Sequence, residues 1–134
     1  MRKLVLLAGI LLAMVSCEKN DNSNTAEKIR GSWKVEDMVR KTTLGSRTPT
    51  EWHESKDGDS MHFAADYTFW TRLNGSLRTG TWELMQQGSR LCMKTGSGAL
   101  TIMNIPSITP ASMQLYSSER TANGFVETTI SLSR

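Results

Sequence analysis

The chain has 134 residues, of which 38% are hydrophobic and 22% charged, with ten Gly, three Pro and two Cys. This composition is typical of a globular protein and excludes the disordered, collagen-like and disulfide-dense classes. The formal net charge of +3 includes Arg2 and Lys3, which belong to a segment with the features of a removable leader. Without them, 14 basic residues face 13 acidic ones, and a net charge of +1 gives no electrostatic argument for nucleic acid as a partner.

The first 17 residues have the regions of a signal peptide. Arg2 and Lys3 form a positive start, an apolar run extends from Leu4 to Val15, and Ser16 precedes Cys17. This run is too short to cross a bilayer core, which takes about 20 residues at a rise of about 1.5 Å each. We therefore expect residues 1–17 to be an export signal that is removed.

The leader ends in Met14-Val15-Ser16-Cys17, which resembles the lipobox of bacterial lipoproteins. The resemblance implies that Cys17 is acylated and becomes the new N-terminus, so that its acyl chains bind the protein to a membrane. It also implies, from Glu18 at the next position, delivery to the outer membrane, on either the periplasmic or the outer surface. The alternative is an ordinary secretory signal that leaves Cys17 as a free thiol.

A lipid on Cys17 leaves Cys92 without a partner in the chain. We therefore expect no internal disulfide. A lone thiol is tolerated in an oxidising compartment when it is buried and inert, so Cys92 is interpreted as a small core residue rather than a nucleophile.

The mature chain divides into a tether and one domain. Residues 18–24 are polar and are expected to form a flexible tether. A capping-box spacing between Asn24 and Glu27 predicts a short helical turn over residues 25–30 that ends at Gly31. The domain is expected to span residues 25–134.

From Ser32 onward the apolar residues alternate with a period of two, which predicts strands rather than helices. Turn residues such as Asn74-Gly75 and Asn123-Gly124 separate the segments. The predicted strands are 32–43, 51–55, 60–65, 67–73, 76–85, 90–95, 99–105, 112–118 and 125–133. Short strands joined by tight turns predict an all-β antiparallel up-and-down meander, closed as a barrel or folded as a sandwich.

The alternation also assigns the faces of the strands. The inward-facing set is predicted to be Trp33, Val35, Tyr67, Phe69, Thr71, Leu73, Trp82, Leu84, Leu91, Met93, Leu100, Ile102, Met113, Leu115, Val126, Ile130 and Leu132. Trp70 and Tyr116 fall on the outer face and are expected to be exposed.

Four segments in this order resemble the lipocalin-like domains of bacterial lipoproteins. They are Gly31-Ser32-Trp33, the run from Phe63 to Phe69, the run from Gly80 to Leu84, and a last strand that ends at Arg134. The resemblance covers about residues 25–134 and implies a small eight-stranded calycin-type barrel. It further implies that Trp33 closes one end and that Arg134 packs across its ring, a cation–π contact worth about 0.5–2 kcal/mol.

The resemblance implies a binding protein for a small hydrophobic ligand. Candidate ligand contacts are Phe69, Met93, Ile102, Met113 and Leu115. An eight-stranded barrel is just wide enough to be filled by its own side chains or to hold one small molecule. The sequence leaves both possibilities open. A filled barrel would favour the alternative of a protein-interaction lipoprotein, an inhibitor or accessory subunit of an envelope assembly, with Trp52, Trp70 and Tyr116 as a surface cluster.

Residues 51–62 contain both histidines and four carboxylates and form the densest group of chemically active side chains. An enzyme would need His53 and His62 to converge with Asp57 or Asp59. The spacing matches no established zinc or calcium pattern, and the Asp and Gly residues are typical of a polar turn. We therefore expect neither an enzyme nor a metal or other cofactor.

Overall fold

The computed structural model describes residues 24–134, which form one short helix and nine strands. The predicted leader 1–17, the acylation site Cys17 and tether residues 18–23 lie outside the described residues. The helix spans residues 24–29. The strands are β1 (Gly31–Leu44), β2 (Thr50–His53), β3 (Ser60–Phe63), β4 (Thr68–Leu73), β5 (Ser76–Met85), β6 (Arg90–Thr95), β7 (Leu100–Ile108), β8 (Ser112–Thr121) and β9 (Gly124–Ser133).

The strands form one closed antiparallel sheet. Each of the strands from β3 to β8 pairs with its successor, and β9 pairs with β1 over ten register positions. Since β2 and β3 both pair with the same edge of β1, they act as one interrupted strand. The predicted eight-stranded up-and-down barrel is therefore confirmed.

The two ends of the barrel differ. The helix 24–29 and loops 64–67, 86–89 and 109–111 lie at one end, which we call the closed end. The hairpin tips 45–49, 74–75, 96–99 and 122–123 lie at the other, the open end. In the helix, Ala26 and Ile29 are buried in the core, so packing stabilises an element too short to be stable alone.

Two local sequence features explain why the chain turns and pairs as it does. Asn74 and Gly75 both have positive φ, at 52° and 80°, as the two-residue hairpin turn requires. At Gly80 a Cβ would lie 1.9 Å from the carbonyl oxygen of Lys94. Only glycine therefore allows β5 and β6 to approach each other at this point.

The core occupies the closed half of the barrel. Trp33, Trp82, Phe63, Met61 and Leu91 are among its most deeply buried residues. Phe63 meets Trp82 edge to face at a centroid distance of 5.7 Å, a preferred geometry for aromatic pairs. The alternation of apolar residues predicts this half of the interior well.

Three predicted inward positions are wrong. Tyr67 is 45% exposed, because a left-handed φ of 65° places it in the turn before β4. On β7, Leu100 is 60% exposed, and the interior is lined by Thr101 and Met103 instead.

On the same strand, Ile102 also lies on the outer face, opposite Cys92. The error at β7 has a physical cause, since an apolar residue on a half-wet strand need not mark the inner face. Pro106 lies in a register shift between Asn104 and Ser107, where a strand tolerates proline, and β7 continues beyond it to Ile108. The sequence predicts that this strand ends at residue 105.

Candidate functional site

The closed end is sealed by the first and last strands of the barrel. The guanidinium carbon of Arg134 lies 4.0 Å from the centroid of the Trp33 ring, so the expected cation–π contact is present. Trp33 is buried and donates its indole N–H to the carbonyl oxygen of Ile29 at 2.7 Å. Arg134 also donates to the carbonyl oxygens of Lys28, Arg30 and Pro110. The helix, the β7–β8 loop and the last residue therefore close this end together.

The open half of the barrel contains a cavity of about 350 Å³. Its base is apolar and is formed by a group we call the methionine floor: Met38, Met61, Phe69, Met93, Met103 and Ile130. Methionine side chains are flexible and polarisable, and adapt to irregular apolar shapes. The volume lies at the lower end of the range of about 300–1,000 Å³ that small-molecule sites occupy.

Above the floor, short hydroxyl side chains line the wall of the cavity. This hydroxyl belt consists of Thr71, Thr95, Thr101, Ser117 and Thr128. The belt takes residues from five strands, so hydroxyl groups surround the cavity. Three charged side chains also line the cavity: Arg40, Arg78 and Glu119.

A second cavity, also of about 350 Å³, lies beside the first and shares Met38, Arg40, Thr71, Leu73 and Arg78 with it. We call it the side cleft. It lies between Glu54 and the β4–β5 hairpin, where β2 pairs only with β1. The interruption between β2 and β3 thus accounts for the opening in the barrel wall.

A polar cluster holds one margin of the side cleft. Arg40 forms an ion pair with Glu54, Nη2 to Oε2 at 3.3 Å. The other oxygen of Glu54 accepts a hydrogen bond from Trp52 Nε1 at 2.7 Å. Because Trp52 pairs with Arg40 in register, both side chains lie on the same face of the β1–β2 hairpin.

The connection between β2 and β3 is fixed to the β4–β5 turn by a buried carboxylate. Asp59 is 2% exposed and accepts hydrogen bonds from the backbone N–H groups of Lys56, at 3.0 Å, and Asn74, at 2.8 Å. Burial raises the pKa of this carboxyl, but the backbone N–H donors outweigh burial and lower its pKa below the ordinary value. Asp59 is therefore a structural acceptor beside the side cleft.

The candidate ligand contacts occupy different places. Phe69 and Met93 line the cavity. Met113 and Leu115 are buried in the core but do not line it. Ile102 lies on the outer face and cannot contact a molecule in the interior. Sequence reasoning placed Thr71 on the inner face but missed Arg40, Arg78 and the other residues of the hydroxyl belt, because polar residues at inward positions resemble the solvent face of a strand.

The two histidines do not converge. His62 shares a hydrogen bond of 2.8 Å with Ser32 and stacks on Trp70, whereas His53 is paired with Asp37 at 2.8 Å. Their register partners on β1, Ser32 and Val39, are seven residues apart, about 23 Å at about 3.3 Å per residue. Within residues 24–134, no three His, Cys, Asp or Glu side chains are grouped as a metal site would require.

The thiol of Cys92 is buried but belongs to the outer face of β6, where its register partners are Glu83 and Ile102. Burial raises the pKa of this thiol, and the negative charge of Glu83 raises it further. The thiolate, the reactive form, is therefore disfavoured at neutral pH.

The exposed aromatic residues do not form one patch. Trp52 is on β2, Trp70 on the outer face of β4, and Tyr116 on β8, which β9, β1 and β3 separate from β4. Tyr116 is only partly exposed and donates its hydroxyl to Glu127 at 2.7 Å. These positions give no contiguous aromatic surface for a protein partner.

Comparisons with known proteins give no further lead, since no protein-family model and no curated protein matches the chain. Within residues 24–134, no helix has the length and hydrophobicity to span a membrane.

Proposed function

We propose that this chain is a lipocalin-like binding protein, anchored by lipid to the outer membrane, that takes up a small hydrophobic ligand through its open end. The observation that carries this proposal is the cavity of about 350 Å³ above the methionine floor. A closed barrel with one sealed end and one accessible end is the architecture expected of a container for small molecules.

The division of the interior supports a container more than a solid scaffold. The closed half is filled by large side chains, Trp33 and Trp82 among them. In the open half, inward positions carry Thr and Ser instead, although larger apolar residues there would have filled the space. Binding of an apolar group to the floor would remove apolar surface from water at about 25 cal/mol per Å².

Two adjacent threonines provide a matched test of binding. Thr128 lines the cavity, whereas Thr129 has the opposite parity on the same strand. With the unacylated chain (Cys17→Ser), fluorescence titration with the neutral probe phenylnaphthylamine should show saturable binding. Thr128→Phe should fill the cavity and abolish binding, while Thr129→Phe should bind like the parent chain. Equal binding by both variants, or none by the parent chain, would contradict the proposal.

The anchor is tested separately, since it rests on the lipobox resemblance of Met14 to Cys17. Mass spectrometry of the mature N-terminal peptide should find Cys17 with thioether-linked and amide-linked acyl chains. Cys17→Ser should move the protein from the membrane fraction to the soluble fraction, because the acyl chains supply the membrane affinity. An unmodified thiol at Cys17 would exclude lipid anchoring without affecting the binding proposal.

A further inference from the structure

The charged side chains of the open half indicate the chemistry of the ligand. Arg40 of β1 and Arg78 of β5 line both the cavity and the side cleft. A guanidinium group presents a planar set of N–H donors that matches a carboxylate or a phosphate. Two such groups at the boundary of an apolar pocket are poorly explained by an entirely hydrophobic ligand.

The hydrogen-bond partners of Arg40 are incomplete. Glu54 pairs with one terminal nitrogen of Arg40, and its second oxygen is occupied by Trp52. The Nε of Arg40 is buried and has no hydrogen-bond partner. A buried polar group without a partner is destabilising. Arg30 and Arg90 also have an unpartnered Nε, but neither lines the cavity or the side cleft.

Within residues 24–134, no carboxylate lies within 4.0 Å of Arg78. Glu119 lines the same cavity from β8 and likewise has no cation at that distance. Glu54 already balances the charge of Arg40, so Arg78 and Glu119 are the two charged side chains of the cavity that have no ion-pair partner among the described residues. An anion between Arg40 and Arg78 would offer acceptors to the terminal nitrogens of both guanidinium groups.

The charge distribution of the barrel favours the approach of an anion to this end. The open-end segments 40–54, 72–79, 94–101 and 118–127 contain seven basic and four acidic residues. The rest of residues 24–134 contains six basic and seven acidic residues. Such an asymmetry attracts anions to the basic end and raises their association rate.

We propose that the ligand is a single-chain amphiphile with an anionic headgroup, either a carboxylate or a phosphate monoester. Its chain lies on the methionine floor, and Arg40 and Arg78 bind its headgroup beside the side cleft. The opposite orientation would bury the charge against Met61, Phe69 and Met103, where desolvation is most costly. This inference rests on the proposed function and adds the sign and position of the ligand's charge.

Calorimetric titration with four probes of equal chain length tests the sign of the charge. The unacylated chain (Cys17→Ser) is titrated with decanoate, decyl phosphate, decanol and decyltrimethylammonium. Hydrogen bonds to charged groups contribute about 1.5–3 kcal/mol, so at least one anion should bind about tenfold or more tightly than decanol. The stronger of the two anions identifies the headgroup. Raising the salt concentration should weaken binding of the anion and not of decanol.

Single substitutions locate the headgroup. Arg78→Gln and Arg40→Gln should each weaken binding of the anion about tenfold and leave decanol binding within about twofold. Arg72→Gln is the matched control, because Arg72 pairs with Leu77 and its parity directs it to the outer face. Glu119→Gln should strengthen binding of the anion about twofold by removing a repulsive charge. Circular dichroism checks that each variant is folded.

The possible failures are distinguishable. If decanol binds as tightly as both anions and Arg78→Gln has no effect, the charge inference is overturned and the proposed function stands. If decyltrimethylammonium binds most tightly, the site selects a cation and the inference is overturned. If no probe binds, both proposals fail. If Arg78→Gln does not fold, the salt dependence of the parent chain with decanoate and decanol decides between the outcomes.

Discussion

The two ends of this barrel use the same strands for different purposes. At the closed end, inward positions carry Trp33, Trp82 and Leu115, which are buried at 2% exposure or less. At the open end, the inward positions of those same strands carry Arg40, Arg78 and Ser117. One half is a packed core, while the other is a cavity with polar walls.

Along each strand, the inward residues at the closed end stabilise the fold, whereas those at the open end line the cavity. Residues of the closed end contact many neighbours, so their loss leaves unfilled volume in a densely packed region. Residues of the open end face a space that is already empty. Substitutions at the closed end should therefore unfold the protein, and those at the open end should change binding with little effect on folding.

Truncation of Trp33 is expected to have the largest effect. Trp33→Ala removes a fully buried indole, its hydrogen bond to Ile29 and the surface on which Arg134 lies. Large-to-small substitutions of this kind destabilise by about 3–5 kcal/mol. Urea denaturation followed by circular dichroism measures the loss. Trp70→Ala, on the outer face and 37% exposed, should cost less than about 1 kcal/mol. Similar losses for the two variants would contradict the assigned faces.

Loss of the Arg134 side chain should have an intermediate effect. Arg134→Ala removes the contact with Trp33 and the hydrogen bonds to Lys28, Arg30 and Pro110. Water can reach this exposed site and replace part of these contacts, so we expect a loss of about 2 kcal/mol. Arg120→Ala at the open end is the control and should change stability by less than about 0.5 kcal/mol. If Arg134→Ala is as stable as the parent chain, the seal does not depend on this side chain.

The contrast between the ends also explains how much could be predicted from the sequence. The barrel and the contact between Trp33 and Arg134 follow from strand alternation and from the family resemblance. In the open half, apolar residues no longer mark the inner face, because the interior there is itself polar. The alternation of apolar residues then assigns Leu100 and Ile102 to the inner face of β7, although Thr101 and Met103 line the interior. Arg78 has the parity of Trp82, so the alternation places it on the inner face, whereas the register shift between Val35 and Asp37 reverses the parity of β1 before Arg40.

The buried carboxylate of Asp59 gives the next prediction. Lys56 and Asn74 both donate to Oδ2 of Asp59, so Asp59→Asn can keep one acceptor oxygen for both, but it removes the negative charge and replaces the other oxygen with an N–H donor. We expect a loss of about 1–3 kcal/mol. Because the folded-state pKa of Asp59 is lowered, its contribution is present above the unfolded value of 3.8 and is lost as the pH falls through the folded-state pKa.

Urea denaturation of the parent chain and Asp59→Asn between neutral and acidic pH measures this contribution. The two stability curves should converge at acidic pH. Asp57→Asn is the matched control, since Asp57 is exposed in the same segment and its substitution should leave the curve unchanged. If the free energies of unfolding of the parent chain and Asp59→Asn differ by the same amount at every pH, the loss of stability does not come from the charge of Asp59.

The smallest effect is expected at the exposed pair of His53 and Asp37. The hydrogen bond to Asp37, together with its negative charge, raises the pKa of His53 above 6.5. Because the folded-state pKa is the higher one, the stabilising contribution is present below the unfolded value and disappears as the pH rises through the folded-state pKa. NMR titration of the His53 ring protons measures the shift directly.

Asp37→Asn should bring the pKa of His53 back towards 6.5, since it removes the principal cause of the shift. Asp57→Asn should leave it in place, because Asp57 does not contribute to the shift. Salt should reduce the shift in the parent chain, as exposed charges are screened. A shift that survives Asp37→Asn would have to originate elsewhere, and Glu51, which also raises the pKa, would be the next residue to substitute. Because His53 and Asp37 are exposed, this pair should leave the melting temperature almost unchanged, in contrast to Trp33 at the sealed end.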